Sequence, residues 1–294
     1  MMKYIYGLVF SIGILAVSVF SPSAKLFAQP VAGQIENQQQ TYKRIIALAP
    51  HIVENLFAVG AGDLIIGTTE HADFPESARD IPRIGNYAQL SIEQILAADP
   101  DLIIAWKSGN PSDDLARLEK LGLNIVYSQP DTLEDVAKEL RLFGELTGNI
   151  ATAELQATDF LHQMAEIRTS YLNKRYMKVF FELWPRPLTT IANEAWPQQQ
   201  LNLCQTANPF IDSATDYPQI NIEQVVLAGP DIIIQPTSHG IKSPDKVDWQ
   251  QWQSIPAVKN SAFLHPNADK LHRMTSRSLD ELALLCQQID EFRN

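Results

Sequence analysis

NYAQLSIEQILAADPDLII, at residues 86–104, and DYPQINIEQVVLAGPDIII, at residues 216–234, are two versions of one stretch. Aligned without a gap, the two stretches agree at ten of nineteen positions. Each contains an amphipathic segment, a turn at Pro-Asp and a short apolar run that is typical of a buried strand. The sequence therefore predicts the same helix–turn–strand unit once in each half of the chain.

The segments around each copy alternate between short apolar runs and amphipathic stretches. In the first half, strands are predicted at RIIALAP (44–50), DLIIGTT (63–69), DLIIAW (101–106) and NIVYSQP (124–130). In the second half, strands are predicted at KVFFEL (178–183), DIIIQP (231–236) and SAFLHPN (261–267), with a helix over residues 197–207 among those between them. This alternation indicates parallel sheets covered by helices on both faces.

A long stretch without Gly or Pro separates the two halves. Residues 149–174 read NIATAELQATDFLHQMAEIRTSYLNK, which predicts one continuous helix of about 39 Å. The predicted fold class is α/β, with two Rossmann-like lobes that contain parallel sheets, have a core each and are joined by one long α-helix. We assign residues 42–148 to the N-terminal lobe, residues 149–175 to the linking helix and residues 176–294 to the C-terminal lobe.

The first 28 residues have the order of segments found in a secretory signal peptide. A Lys precedes an almost unbroken apolar run over residues 7–20, Ser and Pro then break the run, and Ala28 offers a small side chain for cleavage. Because the run is short for a bilayer span, a signal peptide at residues 1–28 is preferred to an uncleaved anchor. Residues 29–41 are polar and predict a flexible arm, and no later stretch approaches membrane-spanning length.

The charge balance limits the partners that the protein can have. The full chain carries a net charge of −11, and loss of Lys3 and Lys25 with the signal peptide would bring it to −13. Such an acidic chain is repelled by nucleic acid and by anionic membrane surfaces. We therefore expect neither as a partner.

Cysteine and histidine usage limits the chemistry. Cys204 and Cys286 are the only cysteines, and in an exported chain they favour one disulfide, with two buried free thiols as the alternative. The sequence lacks a nucleophile elbow, a dinucleotide fingerprint, a phosphate-binding loop and a zinc-protease motif. The six His residues are scattered without metal-ligand spacing. We expect no metal site, and we keep a metal-dependent enzyme that uses His71, Asp73 and His272 as an alternative.

Aromatic side chains gather where predicted strands end. Trp106 ends one strand, Trp184 follows another, Phe74 closes a loop after a third, and Tyr87 and Tyr217 precede the two repeated helices. Ligands of open α/β sheets bind beyond the carboxyl ends of the strands. Aromatic groups at that edge would line a large apolar cleft.

The segments LAPHIVENLFAVGAGDLIIG, LSIEQILAADPDLIIAWKSGN, YPQINIEQV and DKLHRMTSR make a more specific comparison possible. With them, the chain resembles the helix-linked class of periplasmic substrate-binding proteins of ABC importers, and within that class its cobalamin-binding members. The likeness extends from RIIALAP to the last helix. It implies a ligand cleft between the two lobes and little lobe movement, because a rigid helix resists hinge closure.

The resemblance also implies roles for single residues. The positions that match ligand-facing residues of the family are His71, Tyr87, Trp106, Trp184, Tyr217, Asp269 and Arg273, with Leu183 beside them. Cys204 and Cys286 match its disulfide. Glu93 and Glu223, one in each repeated unit, match two surface carboxylates that dock onto a homodimeric permease. This match accounts for the repeat, since a twofold-symmetric partner presents the same basic feature twice.

The chain departs from the family pattern at three of these places and at Lys270. Tyr87 and Tyr217 stand where the cobalamin-binding proteins commonly have Trp, and His71 stands where they have Tyr. Lys270 replaces an aromatic residue in the last loop. These departures reduce the area available for stacking, and they raise the question whether His71 reaches the cobalt ion.

The resemblance implies a monomeric periplasmic transport protein that captures cobalamin or a related corrinoid and delivers it to an ABC importer permease. On this interpretation the protein is not an enzyme and needs no cofactor. A ferric-siderophore or haem-binding protein of the same fold is the first alternative. Siderophore binders usually need several Arg in the cleft, and here only Arg186 and Arg273 stand in candidate loops.

Overall fold

The repeated strands form two separate parallel sheets. The structure is a computed structural model that describes residues 41–238 and 246–293. The predicted signal peptide, and all of the predicted arm except Thr41, lie outside the described residues. Among the described residues, no helix combines the length and the apolar character that a membrane crossing requires.

The first sheet has four parallel strands in the order β2-β1-β3-β4. They are β1 Ile45–Ala47, β2 Ile65–Thr68, β3 Leu102–Trp106 and β4 Ile125–Ser128, and the helices of this lobe are α1 Pro50–Ala58, α2 Ile92–Ala97, α3 Ser112–Lys120 and α4 Leu133–Thr147. Side chains alternate across the sheet, so Ile45 and Ile104 pack into one core while Ile46 and Ile103 pack into a second one. Burial on both faces explains the unbroken apolar runs of these strands.

The second sheet repeats the arrangement with parallel strands in the order β10-β9-β5-β8. Its strands and those of a small antiparallel hairpin are β5 Met177–Phe181, β6 Trp184–Pro185, β7 Leu188–Thr189, β8 Thr206–Ala207, β9 Ile232–Ile234 and β10 Phe263–Leu264. The helices that follow the link are α6 Trp196–Leu203, α7 Ile222–Ala228, α8 Pro256–Lys259, α9 Ala268–Leu271 and α10 Arg277–Glu291, where α5 denotes the linking helix Ile150–Tyr171. The predicted α/β class with two parallel sheets and a long helix is confirmed.

Local differences from the sequence-based expectation have simple causes. The predicted helix over residues 197–207 is wrong in its last turn, because Gln205 adopts a positive φ of 54° and the chain then enters β8. The hairpin of β6 and β7 and the short helix α9 were not predicted. Each has at most four residues, which is too short to show a periodicity.

The linking helix α5 packs closely against α4. Gly148, in the left-handed conformation, ends α4, and α5 begins two residues later. A Cβ on Gly144 would overlap the Cβ of Ala153, so the close approach of the two helices depends on this glycine. The buried face of α5 repeats at helical spacing through Ala157, Phe160 and Met164.

The two lobes share an apolar core. One buried cluster includes Phe143 of α4, Phe160 of α5, Phe180 of β5 and Leu285 of α10, together with strand residues of the first sheet. The expectation of one separate core in each lobe is therefore wrong. Buried residues of α4 and α5 belong to this cluster, so the linking helix and its neighbour are part of the packing that joins the lobes.

The predicted disulfide is confirmed. Cys204, directly after α6, is bonded to Cys286 in α10, with their Cα atoms 5.0 Å apart and both residues fully buried. It closes a loop of 82 residues within the C-terminal lobe. The chain-entropy model assigns such a loop about 4 kcal/mol of stabilisation.

Candidate ligand-binding cleft

A cavity of about 890 Å³ opens where loops from the two lobes face each other. It lies beyond the carboxyl ends of β3, β4 and β5, which is the expected position for a ligand site in α/β sheets. Its aromatic walls come from Trp106 of the N-terminal lobe and from Trp184, Trp196 and Tyr217 of the C-terminal lobe. A ligand in the cavity would therefore contact both lobes at once.

Three of the seven ligand-facing residues predicted from the sequence line this cavity. Trp106 is partly buried, whereas Trp184 is 62% exposed and Tyr217 is 49% exposed. The exposed rings are available to a ligand. Sequence reasoning missed Trp196, which is 91% buried and donates its indole N–H to the carbonyl of Leu271 at 3.1 Å. Its position directly before Pro197, at the start of a helix, is the signal that could have identified it.

Trp106 begins a tight turn that ends at Asn110. The amide of Asn110 accepts a hydrogen bond from the Trp106 backbone N–H at 2.7 Å and donates one to the carbonyl of Leu48 at 2.8 Å. The buried His51 ring meets the Trp106 ring edge-on, with centroids 5.3 Å apart and an interplanar angle of 83°. Burial, reinforced by the charge of Arg273, lowers the pKa of His51 to about 3, so this imidazole is neutral.

The polar part of the cavity wall is acidic. Asp131, Glu194 and Asp216 line the cavity and are exposed, and Ser108 and Gln129 add neutral polar groups. Of the described residues that line the cavity, none is Lys or Arg. The wall therefore offers hydrogen-bond acceptors and disfavours anionic ligand groups.

His272 also lines the cavity, beside Met274. Burial lowers its pKa to about 4, against a smaller opposing effect of Asp269. Its Nε2 atom is buried and has no hydrogen-bond partner among the described residues. The ring is thus a neutral imidazole with an unsatisfied nitrogen close to the cavity.

Arg273 lies outside the cavity wall and is held in an ion-pair network. Its Nη1 atom lies 2.6 Å from a carboxylate oxygen of Glu54 and 2.7 Å from one of Asp73, and its Nη2 atom donates to the carbonyl of His71 at 3.1 Å. The structure therefore places this guanidinium between the lobes and does not bring it to the ligand cavity.

Glu54 is the centre of this network. It lies in α1, is buried, and also accepts a hydrogen bond from the Thr275 hydroxyl at 3.2 Å and pairs with Arg277 at 3.1 Å. Burial raises the pKa of Glu54, and the two arginines oppose that shift. A charged residue within the apolar helix sequence HIVENLFAVG is the sequence feature that could have identified Glu54 as part of a buried ion-pair network.

The remaining predicted ligand residues lie elsewhere. Asp269 lines a separate depression of about 320 Å³ with Asp73 and Arg277. Tyr87 is 79% exposed before α2, and His71 adopts a positive φ of 67° in its loop. None of the three lines the aromatic cavity.

Glu93 and Glu223 occupy matching places in the two lobes. Each lies in the first turn of its helix, α2 or α7, and each is exposed. Each helix buries a single residue, Ile95 or Val225. The repeated sequence thus forms a short surface helix with an exposed carboxylate in its first turn in each lobe.

The alternative metal site is not assembled. Within residues 41–238 and 246–293, no group of three His, Cys, Asp or Glu side chains is placed to hold a metal ion. Asp73 pairs with Arg273, and His272 lies at the cavity.

Comparison with known proteins identifies the family. The family model described as periplasmic binding protein matches residues 45–267. The chain belongs to the periplasmic binding protein family. The vitamin B12-binding protein of Vibrio cholerae serotype O1 is 37% identical over 245 residues, covering 83% of this chain and 88% of the relative. The corresponding protein of Vibrio parahaemolyticus is 32% identical over 252 residues, covering 85% and 90%.

Solved structures agree with this assignment. The crystal structure of the periplasmic vitamin B12-binding protein of Vibrio cholerae matches with a TM-score of 0.79 and 35% identity, covering 86% of this chain and 98% of that one. A periplasmic heme-binding protein from Roseiflexus sp. RS-1 matches with a TM-score of 0.76 at 21% identity, covering 86% and 99%. At that identity the second likeness shows the fold alone. The family resemblance seen in the sequence is confirmed.

Proposed function

We propose that this protein captures a cobalamin-type corrinoid in the aromatic cavity and delivers it to an ABC importer. The observation that carries the proposal is a cavity of about 890 Å³ whose aromatic walls come from both lobes. Its volume falls within the range of small-molecule and cofactor sites. Relatives that carry the name vitamin B12-binding protein support the choice of ligand.

The chemistry of the wall suits a corrinoid. Cobalamin is large and flat-sided, and the rings of Trp106, Trp184 and Tyr217 offer apolar surfaces against which its sides can pack. Its rim carries amide groups, whose N–H donors can bind the acceptor oxygens of Asp131 and Asp216. Ligands with several carboxylate groups would meet like charge at the same positions.

The proposed role includes no covalent chemistry and no cofactor. The protein acts as a monomer in the periplasm, and Glu93 and Glu223 dock it onto basic groups of a permease dimer. Both carboxylates are exposed at helix starts in equivalent units, which supports this role. Charges at an interface rim act mainly on encounter and orientation.

A binding titration tests the ligand assignment. Cyanocobalamin is added to the mature protein while tryptophan fluorescence is recorded, and calorimetry gives the stoichiometry. We expect saturable one-to-one binding that Trp106→Ala weakens at least about tenfold. Tyr176→Ala is the matched control, because Tyr176 is an exposed aromatic outside the cavity. No binding of cyanocobalamin or cobinamide to the wild type would reject the assignment.

Haem is the second candidate ligand, and one observation favours it. His272 lines the cavity as a neutral imidazole with an unsatisfied Nε2, and imidazole is a common axial ligand of haem iron. The same titration with haem decides whether haem or cobalamin is the ligand. A shift of the haem Soret band on binding that is lost in His272→Ala would identify haem as the ligand, whereas a response to cobalamin without a response to haem would exclude it.

A further inference from the structure

We propose that Gly109 and His51 are positioning residues, which hold the indole of Trp106 in place so that the cavity wall is formed before the ligand arrives. The inference rests on the proposed function only in what it says about affinity. Neither residue lines the cavity, so neither is expected to touch the ligand.

The backbone of Gly109 is in contact with the indole ring of Trp106. A Cβ built at this position would overlap three ring carbons of Trp106, namely Cε3, Cδ2 and Cζ3. The six-membered ring therefore lies directly against the Gly109 backbone. Any side chain at residue 109 has to displace the whole ring. The indole is rigid, so it cannot make room by a small bend as the end of a flexible side chain can.

His51 supports the indole from the side. Its ring meets that of Trp106 in an edge-on arrangement, which is one of the preferred geometries of aromatic pairs. The imidazole is itself fixed, since its Nε2 lies 2.8 Å from the Ser128 hydroxyl oxygen at the end of β4. Burial keeps the ring neutral. His51 thus contributes a rigid aromatic edge and no charge.

Asn110 completes the arrangement by closing the turn. Its two side-chain hydrogen bonds join the Trp106 backbone to the carbonyl of Leu48 after β1. The turn is consequently anchored to the first sheet, and the indole lies between a fixed backbone and a fixed ring. Preformed groups of this kind raise affinity by removing the cost of ordering them upon binding.

The first experiment adds a side chain at Gly109, beside the Trp106 ring. The protein is labelled with 5-fluorotryptophan, and the Trp106 resonance among the five Trp signals is assigned with Trp106→Phe. We expect Gly109→Ala to shift the Trp106 resonance in ligand-free protein and to weaken cyanocobalamin binding about tenfold. Combined with Trp106→Phe, Gly109→Ala should add little further loss, because the smaller ring relieves the overlap.

Gly62→Ala is the matched control. A Cβ on Gly62 would overlap the ring of Phe57 in the same manner, but neither residue lines the cavity. This variant should lower the melting temperature while the Trp106 resonance and the cyanocobalamin affinity stay as in wild type. This control shows whether the effects of Gly109→Ala come from displacing Trp106 in particular or from displacing any aromatic ring.

Two variants of His51 test whether its ring positions the indole of Trp106. His51→Phe keeps an aromatic edge and loses the contact with Ser128, whereas His51→Gln can keep that contact and loses the ring. If the ring edge positions the indole, His51→Gln shifts the Trp106 resonance more and weakens binding more, by about fivefold. The reverse order would show that the polar contact matters and would overturn the role given to His51.

Each outcome decides the proposal. A Gly109→Ala protein whose Trp106 resonance is unchanged, or whose resonance shifts without loss of affinity, refutes the positioning role of Gly109. A wild-type protein that does not bind cyanocobalamin refutes the proposed function instead. The ligand-free resonance still tests whether Gly109 sets the indole in that case, so the two failures are distinguishable.

Discussion

The carboxylates of the cavity wall are expected to select ligands by charge. Asp131 and Asp216 line the cavity, and no described lining residue is basic. Asp131→Asn with Asp216→Asn should therefore raise the affinity for haem, which carries two propionates, relative to that for cyanocobalamin. Because both side chains are exposed, the change should be only about two- to fivefold. Calorimetry at two salt concentrations measures it.

Asp212→Asn is the control for that change, since Asp212 is exposed in the same loop region but does not line the cavity. A haem affinity that rises equally in Asp212→Asn would mean that net charge, and not the cavity wall, is responsible.

Glu139 in α4 makes stability depend on pH. Its side chain is buried, and burial raises its pKa from 4.5 to about 7, against smaller opposing effects of the Ser128 hydroxyl and the Gln129 backbone. The folded state therefore binds this proton more tightly than the unfolded state, and stability falls as the pH rises from 4.5 to about 7. At pH 8, Glu139→Gln should be up to about 3 kcal/mol more stable than wild type.

At about pH 4 the Glu139→Gln variant and the wild type should have nearly equal stability. Urea denaturation at this pH and at pH 8 gives the comparison, and Glu145→Gln on the exposed face of α4 provides a reference. A gain in stability that is independent of pH would contradict the assignment to this carboxyl group.

At the scale of secondary-structure elements, the contact between α1 and the segment before α10 depends on Glu54. This buried carboxylate pairs with Arg273 and Arg277, which come from the other lobe. Glu54→Ala leaves two partly buried guanidinium groups without their shared partner and should cost about 3–5 kcal/mol in unfolding free energy. Chemical denaturation measures the loss.

Glu76→Ala is the comparison, because Glu76 forms an exposed pair with Arg79 and such pairs contribute at most about 1 kcal/mol. A Glu54→Ala protein that loses no more stability than Glu76→Ala would show that the network between the lobes carries little energy.

The elements differ in how well the sequence predicts them. Strands such as β3 and β9 are predicted because burial on both faces demands a continuous apolar run. The aromatic residues of the cavity are predicted in part, since Trp106, Trp184 and Tyr217 stand at strand exits or before a repeated helix. Strand ends mark the edge of the sheet where a ligand binds.

The rest of the site could not be predicted for a physical reason. The place of Arg273 depends on Glu54, which is 219 positions away in the chain, and no local pattern encodes such a pairing. The same holds for the support that His51 gives to Trp106 across 55 positions, whereas Gly109 lies only three residues after Trp106 and the contact between them needs the conformation of the turn. The contacts of His51 exist only once α1, β3 and β4 have assembled.

At the scale of the whole molecule, charge reversal in the repeated surface helices should change binding to the permease and leave binding of the ligand unchanged. Neither Glu93 nor Glu223 lines the cavity. Glu93→Arg with Glu223→Arg should keep the cyanocobalamin affinity of the wild type and abolish binding to permease in nanodiscs, because attraction becomes repulsion at both contacts.

Glu119→Arg with Glu291→Arg reverses the same number of charges outside α2 and α7, and it serves as the control for net charge. Equal loss of permease binding in both double variants would refute a local docking role for the repeated helices.

The apolar core that runs through both lobes also affects how long a complex lasts. Because Phe143, Phe160 and Phe180 belong to one packed cluster, the lobes can separate only if that packing is disturbed, and close-packed interiors resist such a change. Ligand enters an open cavity at a rate set by diffusion and orientation, and the contacts in the cavity set its residence time. A partner that rearranges the two lobes around a bound ligand therefore has to supply the free energy that disturbing this shared packing costs.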